Sequence, residues 1–215
     1  CSNFYKKKPK NIIAVTGTNG KTSVASFFNQ ILNLNKIPSA SIGTLGIDSK
    51  KIKKKTLLTS MDPIFLHKNL NLLKKYKINH VIIEASSHGL DQHRLDNIRF
   101  VTGIFTNLSH DHLDYHNNMK SYLNSKMYLF KKILPRNSHV ITDISNIEYK
   151  ELKKISSLKK LKLKIIGLEN SHIKILDHYY LEKGQLIKIF YNSKIYEFEV
   201  PLIGYLQCKN LLMSI

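Results

Sequence analysis

The chain has 215 residues, of which 42% are apolar and 23% charged, so it can bury a sizeable core and is too apolar to be disordered. No run approaches the roughly 18 apolar residues of a membrane span, and two cysteines, Cys1 and Cys208, are too few to staple such a domain. We therefore predict a globular cytoplasmic protein without a membrane partner. The net charge is +19, but only three cations are arginine, the residue that base-reading proteins prefer, so we expect a solvated lysine surface and no nucleic-acid partner.

The first two-thirds of the chain alternates strand and helix patterns, which predicts a parallel sheet with helices on its faces. The expected strands are residues 12–16, 39–43, 80–85, 100–106 and 140–142. The expected helices are 21–34, 62–76 and 119–134, the second opened by Asp62 and Pro63 and the third closed by Pro135. We expect loops at 17–20, at the lysine-rich segment 48–55 and at the polar segment 86–94.

After residue 160 the pattern becomes that of strands, expected at 161–166, 173–180, 186–191 and 195–200. Asn192 and Ser193 are typical of a hairpin turn between the last two. In the final strand Tyr196, Phe198 and Val200 alternate with glutamates, which predicts one buried face. The predicted fold class is α/β: a P-loop-type, mostly parallel sheet flanked by helices, with a small antiparallel β appendage near the C-terminus.

The segment from Thr16 to Ser23 lies where a strand ends and a helix begins, and it contains Gly-Lys-Thr at the helix start. Glycines let backbone N–H groups approach a polyphosphate, the helix N-terminus and Lys21 add positive charge, and the Thr22 hydroxyl can hold Mg²⁺. The strict phosphate-loop pattern has glycine where this chain has Val15, so the match is partial. The segment nevertheless predicts nucleotide binding.

Two further polar segments follow strands that we expect to end at the same edge. Glu84 closes an apolar strand, which favours a Mg²⁺ ligand opposite Thr22. His110, His112 and His116 follow the next strand, together with two aspartates. Zinc is the alternative, but no cysteine lies nearby and no two histidines have helical metal-binding spacing, so a phosphate-linked Mg²⁺ site is favoured.

Three segments in this order, residues 16–23, 84–90 and 106–116, resemble the motifs of the Mur ligases. Residues 204–210 resemble the segment that closes the central domain of that family, although Leu206 and Gln207 depart from its usual Phe-Asn. The resemblance covers essentially the whole chain. It implies that residues 1–215 form the central ATPase domain, and that the UDP-sugar-binding N-terminal and amino-acid-binding C-terminal domains are absent from this chain.

The resemblance also implies the roles of particular residues. The ATP-binding set is Gly17, Thr18, Asn19, Gly20, Lys21, Thr22, Ser23, Asn107 and Asn210. The catalytic set is Lys21, Glu84, His112 and Lys126, and the Mg²⁺ ligands are Thr22, Glu84, His112 and Lys126, the last as a carbamate. The contacts to the UDP-muramoyl dipeptide are Thr59, Ser60, Ser86, Gln92 and Arg94. Met61 stands where the family often has proline, and His110 where it has arginine, so we assign His110 no role.

The implied activity is that of an ADP-forming acid–amino-acid ligase with ATP and Mg²⁺ as cofactors. It would add the third residue, a diamino acid, to UDP-N-acetylmuramoyl-L-Ala-D-Glu through an acyl phosphate, in peptidoglycan precursor synthesis, as a monomer. The chain by itself is expected to be inactive, and the choice between diaminopimelate and L-lysine is expected to depend on the C-terminal domain. The alternatives are a sister ligase acting on another stem residue or on folate, and a P-loop hydrolase without ligation.

Overall fold

The computed structural model describes residues 4–56, 58–111 and 113–215, with Leu113 described by its backbone alone. The strands are β1 Asn11–Thr16, β2 Ser39–Gly43, β3 Gly46–Ser49, β4 Lys53–Lys54, β5 His80–Glu84, β6 Thr102–Phe105, β7 His139–Asp143, β8 Lys162–Gly167, β9 Ile173–Leu181, β10 Gly184–Tyr191 and β11 Lys194–Val200. The helices are α1 Lys21–Leu34, α2 Pro63–Lys75, α3 Ser87–Asp91, α4 Leu113–His116, α5 Met119–Tyr128, α6 Tyr149–Lys159 and α7 Tyr205–Met213, and a π-helical turn, Leu129–Ile133, continues α5.

All of these strands belong to one sheet, in the order β11-β10-β9-β8-β7-β6-β1-β5-β2-β3-β4. The seven strands from β9 to β2 in this order run parallel to their neighbours. The pairs β9–β10, β10–β11, β2–β3 and β3–β4 are antiparallel. The predicted fold class is therefore confirmed, and the antiparallel strands near the C-terminus extend the main sheet.

The pairing of the central strands places the polar segments at one edge. Val15 on β1 lies opposite Glu84 on β5, and Thr16 lies opposite Phe105 on β6. Because parallel strands end at the same edge, the loops that follow β1, β5 and β6 meet there, where ligands of open α/β sheets bind.

Apolar side chains on both faces of the sheet hold the helices in place. One cluster joins Leu66 and Leu70 of α2 with Phe130 and Leu152 of the α5–α6 side. The other joins Val24 of α1 with residues of α7 and of the C-terminal strands, including Cys208, Leu212, Ile175 and Ile187. No helix among the described residues is long and apolar enough to cross a membrane.

Several local expectations were wrong. The lysine-rich segment expected as a loop contains the end of β3 and all of β4, and the polar segment 86–94 contains α3, which the Ser86 side chain caps by accepting from Gly89 N. Helix α6 was not predicted, because its lysines leave few apolar positions on which a helical period can be seen. Tyr196 on β11 is 44% exposed, and Phe198 and Val200 are only partly buried, so the expected buried face of that strand is wrong.

The turn between β10 and β11 confirms the hairpin prediction. Asn192 and Ser193 have φ values of 48° and 62°, as a type I′ hairpin turn requires at both central positions.

Candidate active site

The phosphate loop joins the end of β1 to the start of α1. Gly17 and Gly20 have φ values of 148° and 87°, and a Cβ atom would collide with the Thr106 hydroxyl at the first and with the Asn210 amide at the second. Both positions therefore require glycine. The Lys21 ammonium donates to the carbonyls of Gly17 at 2.9 Å and Thr18 at 2.8 Å, so it lies over the loop at the N-terminus of α1.

The segment after β6 forms a second wall of this loop. Asn107 accepts two hydrogen bonds from the phosphate loop: its side-chain Oδ1 from Asn19 N, and its backbone carbonyl from Thr18 N, each at 2.9 Å. Thr106 Oγ1 donates to Asn19 O at 2.6 Å. Asn107 and Asn210, both predicted near the nucleotide, thus lie against the phosphate loop, and Asn210 Nδ2 donates to Gln207 Oε1 at 3.3 Å.

Glu84 lies at the end of β5 with only 2% of its surface exposed. Its carboxylate accepts from Thr22 Oγ1 at 2.9 Å, from Thr44 Oγ1 at 3.0 Å and from Thr44 N at 3.0 Å. These donors satisfy the hydrogen-bonding capacity of a carboxylate that is shielded from water. Sequence reasoning missed Thr44; its position just after the end of β2, at the ligand-binding edge, was the available signal.

The predicted substrate residues lie beside Glu84. Ser60 Oγ donates to the Glu84 carbonyl at 3.0 Å and accepts from Ser86 N and Ser86 Oγ, each at 2.9 Å. Arg94 donates to the Ser60 carbonyl at 2.8 Å and to the Gln92 side chain. Thr59, the fifth member, has its hydroxyl 3.1 Å from that of Thr44. The structure therefore brings together all five residues.

The side chain of Lys126, on α5, contacts the backbone of the phosphate loop. It is 1% exposed, its Nζ donates to Gly17 O at 2.8 Å, and it lies 4.2 Å from the centre of the Tyr122 ring. The pKa of Lys126 is lowered to about 7, chiefly by burial and also by the positive charge of Lys21, while Asp111 acts in the opposite direction. A substantial part of this amine is therefore neutral near pH 7.

Tyr122 was not among the predicted site residues. Its ring is fully buried, and its hydroxyl is 3.1 Å from Thr18 Oγ1. The Thr18 hydroxyl also bonds Ser109, accepting from its N–H at 3.0 Å and donating to its carbonyl at 3.3 Å. Tyr122 therefore connects helix α5 to the phosphate loop. It occupies an ordinary apolar position of a helix, so the sequence carried no signal for this role.

The oxygen donors of Thr22 and Glu84 suit Mg²⁺, which prefers hard ligands. His112, the predicted imidazole ligand, lies outside the described residues. Among the residues that are described, no group of three His, Cys, Asp or Glu side chains could hold a metal. His116 packs between two tyrosine rings, edge-to-face with Tyr115 at 4.7 Å and tilted against Tyr122 at 5.2 Å between centroids.

A cavity of about 250 Å³ connects these parts, lined by residues 18–23, Thr44, Thr59, Ser86, Ser87 and Lys126. The phosphate loop thus shares one pocket, at the carboxyl edge of a parallel sheet, with two of the five predicted substrate residues, Thr59 and Ser86. This arrangement defines a phosphate-loop nucleotide-binding domain of the α/β class.

The family follows from comparison with known proteins. The model of the Mur ligase middle domain matches residues 15–215, and the chain belongs to this family. Similar curated proteins are the UDP-N-acetylmuramoyl-L-alanyl-D-glutamate–2,6-diaminopimelate ligases of Brucella melitensis (38% identity, 98% of this chain, 43% of the relative) and Rickettsia bellii (40% identity, 98% and 45%). The chain spans less than half the length of these relatives.

Solved structures agree on the fold. A structure of a UDP-N-acetylmuramoyl-L-alanyl-D-glutamate–2,6-diaminopimelate ligase has a TM-score of 0.88 at 27% identity, over 99% of this chain and 44% of that one. MurF ligase from Thermotoga maritima, in complex with ADP, has a TM-score of 0.75 at 16% identity, over 99% and 45%. FPGS from L. casei in its apo form has a TM-score of 0.80 at 14% identity, over 99% and 58%.

Proposed function

We propose that the chain is the central ATPase domain of a cytoplasmic ligase that joins 2,6-diaminopimelate to UDP-N-acetylmuramoyl-L-alanyl-D-glutamate at the expense of ATP. The names and 36–40% identity of the curated relatives support the substrates. Their greater length supports the assignment of the UDP-sugar-binding and amino-acid-binding domains to parts of the protein outside this chain.

One observation carries the proposal: Glu84 connects the nucleotide side of the pocket to the substrate side. Its carboxylate bonds Thr22 of the phosphate loop, and its backbone carbonyl bonds Ser60, which Arg94 holds from the other side. A phosphoryl-transfer enzyme must align an anionic acceptor with the terminal phosphate. A rigid link of this kind supports that alignment.

In the proposed reaction an oxygen of the substrate carboxylate attacks the γ-phosphorus of ATP, and ADP leaves. The amine of diaminopimelate then attacks the acyl carbon, the phosphate leaves as the C–O bond breaks, and the attacking nitrogen loses a proton. Lys21 would move from the loop carbonyls to the transferring phosphate, where a positive charge stabilises the transition state. Thr22 and Glu84 would hold Mg²⁺, which supplies further neutralisation of phosphate charge when it is bound.

Lys126 is proposed to act as a carbamate. The nitrogen of a neutral amine forms a bond to the carbon of CO₂ and releases one proton to solvent, which leaves an anionic carbamate with oxygen ligands. The lowered pKa of Lys126 supplies that neutral amine. The carbamate nitrogen keeps one N–H, so the hydrogen bond to Gly17 O can persist. Lys126→Arg cannot form the carbamate, and we expect it to lose activity, whereas Lys126→Ala should regain part of its activity with added short carboxylates. Full activity of Lys126→Arg would contradict the carbamate.

The function is tested with the full-length protein, ATP, Mg²⁺ and UDP-N-acetylmuramoyl-L-Ala-D-Glu, with each amino acid offered separately. We expect diaminopimelate-dependent tripeptide formation with one ADP per product. L-Lysine as the better substrate would correct the amino acid, and glutamate added to a folate would favour the sister ligase. ADP release that no amino acid stimulates would indicate a P-loop hydrolase.

A further inference from the structure

The cations of this chain are concentrated at the amino edge of the sheet, opposite the phosphate loop. The basic edge comprises the segments that lead into the parallel strands, with the turn between β3 and β4: residues 4–10, 33–38, 50–51, 74–79, 97–101, 132–138 and 157–162. These segments hold sixteen of the 34 Lys and Arg residues and none of the 15 Asp and Glu residues. The loops at the carboxyl edge, residues 17–20, 43–45, 84–88, 106–111 and 143–148, hold four carboxylates and no Lys or Arg.

Neither local stability nor the proposed reaction explains this segregation. Lysines in the last turn of α2 and α6 complement the helix dipole, but Lys10, Arg99 and Arg136 lie outside helices. Cations that assist an anionic substrate would be needed at the carboxyl edge. Carboxylates are not gathered at the opposite edge to the same degree, and Asp96 lines a cavity with Arg99 and Lys132, so the feature to be explained is the excess of cations at the basic edge.

Exposed apolar side chains are interleaved with these cations. Leu34 is 81% exposed, Leu158 74%, Tyr76 45% and Ile37 38%. Tyr76 and Ile37 line one cavity together with Lys36 and two further lysines, Lys50 and Lys51. Apolar and cationic side chains therefore lie side by side around this cavity, and Leu34 and Leu158 add exposed apolar groups elsewhere on the same edge.

The surface has the extent that docking requires. The basic edge runs along β8-β7-β6-β1-β5-β2, and at about 4.8 Å per strand this row is about 24 Å long. Because the phosphate loop lies at the other edge, a partner that covers the basic edge leaves the active site open.

We propose that the basic edge docks on an anionic lipid surface. Lysine ammonium groups are attracted to phosphate headgroups, and their alkyl stems can lie beside apolar side chains that enter the interfacial layer. A nucleic acid fits less well, because only two of the sixteen cations are arginine and exposed leucines have no partner on a phosphate backbone. The sequence predicted no membrane partner because no segment can span a bilayer, but peripheral docking needs no span.

The test measures partitioning of the full-length protein onto vesicles of phosphatidylglycerol and phosphatidylcholine, and onto vesicles of phosphatidylcholine alone. We expect binding to the anionic vesicles that falls steeply with salt. Combined Lys36→Gln, Lys75→Gln, Lys77→Gln and Lys160→Gln changes should weaken it by about tenfold or more. The matched control changes four exposed lysines away from this edge: Lys68→Gln, Lys120→Gln, Lys183→Gln and Lys194→Gln.

Apolar variants separate the lipid from other polyanions. Leu34→Ser with Leu158→Ser should weaken vesicle binding at unchanged charge, and should leave binding to poly(U) unchanged. The proposal is overturned by absence of vesicle binding, by equal losses in the basic-edge and control variants, or by tighter binding to poly(U) than to vesicles at the same salt. The basic-edge variant should keep its ligase kcat and KM, so failure of docking and failure of the proposed function are distinguishable.

Discussion

Replacing Lys126 by methionine should stabilise the protein while abolishing its activity. Lys126 is 1% exposed, and burial lowers the pKa of its amine from 10.5 to about 7. Methionine has a similar length and no charge, so Lys126→Met removes the desolvated amine without leaving a large cavity.

The expected magnitude follows from the pKa. A lowering from 10.5 to about 7 means that the charged amine costs the folded state about 5 kcal/mol below pH 7. Loss of the hydrogen bond to Gly17 O and of the contact with the Tyr122 ring offsets about 3 kcal/mol. We therefore expect a net stabilisation of about 2 kcal/mol at pH 6, which corresponds to a rise in Tm of roughly 4–8 °C.

The pH dependence provides the control. Between pH 7 and 10.5 the folded wild-type protein binds fewer protons at Lys126 than the unfolded chain does, so its stability rises with pH in that window relative to Lys126→Met. The advantage of the variant should be largest below pH 7. It should vanish at about pH 8–9, where the cost of the charged amine has fallen to that of the lost contacts, and should reverse at higher pH. Urea unfolding followed by circular dichroism at pH 6 and pH 9 measures both.

Carbon dioxide supplies a second control. At pH 8, bicarbonate should stabilise wild-type protein relative to chloride at equal ionic strength, and should leave Lys126→Met unaffected. A variant that is less stable than wild type at pH 6, or a stability difference that does not change with pH, would refute the reasoning from the pKa.

Three further perturbations address the phosphate loop and the substrate side. Lys21→Ala should lower ATP turnover by about 100-fold or more in a folded protein, because the positive charge that stabilises the transferring phosphate is lost. Arg94→Ala should raise the KM for the UDP-linked substrate by about tenfold and change the KM for ATP much less, because Arg94 holds the Ser60 carbonyl. Thr18→Val and Tyr122→Phe should each weaken ATP binding by about fivefold, measured by calorimetry, and the double variant should be no weaker than either single one.

Matched variants make these outcomes decisive. Lys68→Ala, at an exposed lysine of α2, should leave ATP turnover unchanged; a loss equal to that of Lys21→Ala would remove the phosphate-loop assignment. Arg99→Ala is the control for Arg94→Ala and should leave both KM values unchanged. If Arg94→Ala raised the KM for ATP as much as the KM for the UDP-linked substrate, Arg94 would not belong to the substrate site. Additive losses for Thr18→Val and Tyr122→Phe would show that their hydroxyl groups do not act through one hydrogen bond.

The sequence by itself determined where the phosphate loop lies and which strands are followed by polar site segments. Gly17, Gly20 and Lys21 could be interpreted because the backbone geometry of a loop between a strand and a helix is local, and only glycine tolerates these φ values beside another chain segment. Glu84 could be placed because the carboxyl end of a strand in a parallel sheet is a ligand-binding position whatever the exact strand order. The hairpin at Asn192 and Ser193 could be predicted for the same reason, because a two-residue turn depends only on neighbouring residues.

Tertiary structure decided which contacts these residues make, and it added Thr44 and Tyr122 to the site. The contact of Thr44 with Glu84 spans 40 residues, and that of Lys126 with Gly17 spans 109, so neither pattern nor propensity indicates them. The burial that lowers the pKa of Lys126 exists only where α5 packs beneath the loop. The separation of charge between the two edges of the sheet likewise depends on the strand order, because segments far apart in sequence become one surface only when the strands are parallel neighbours.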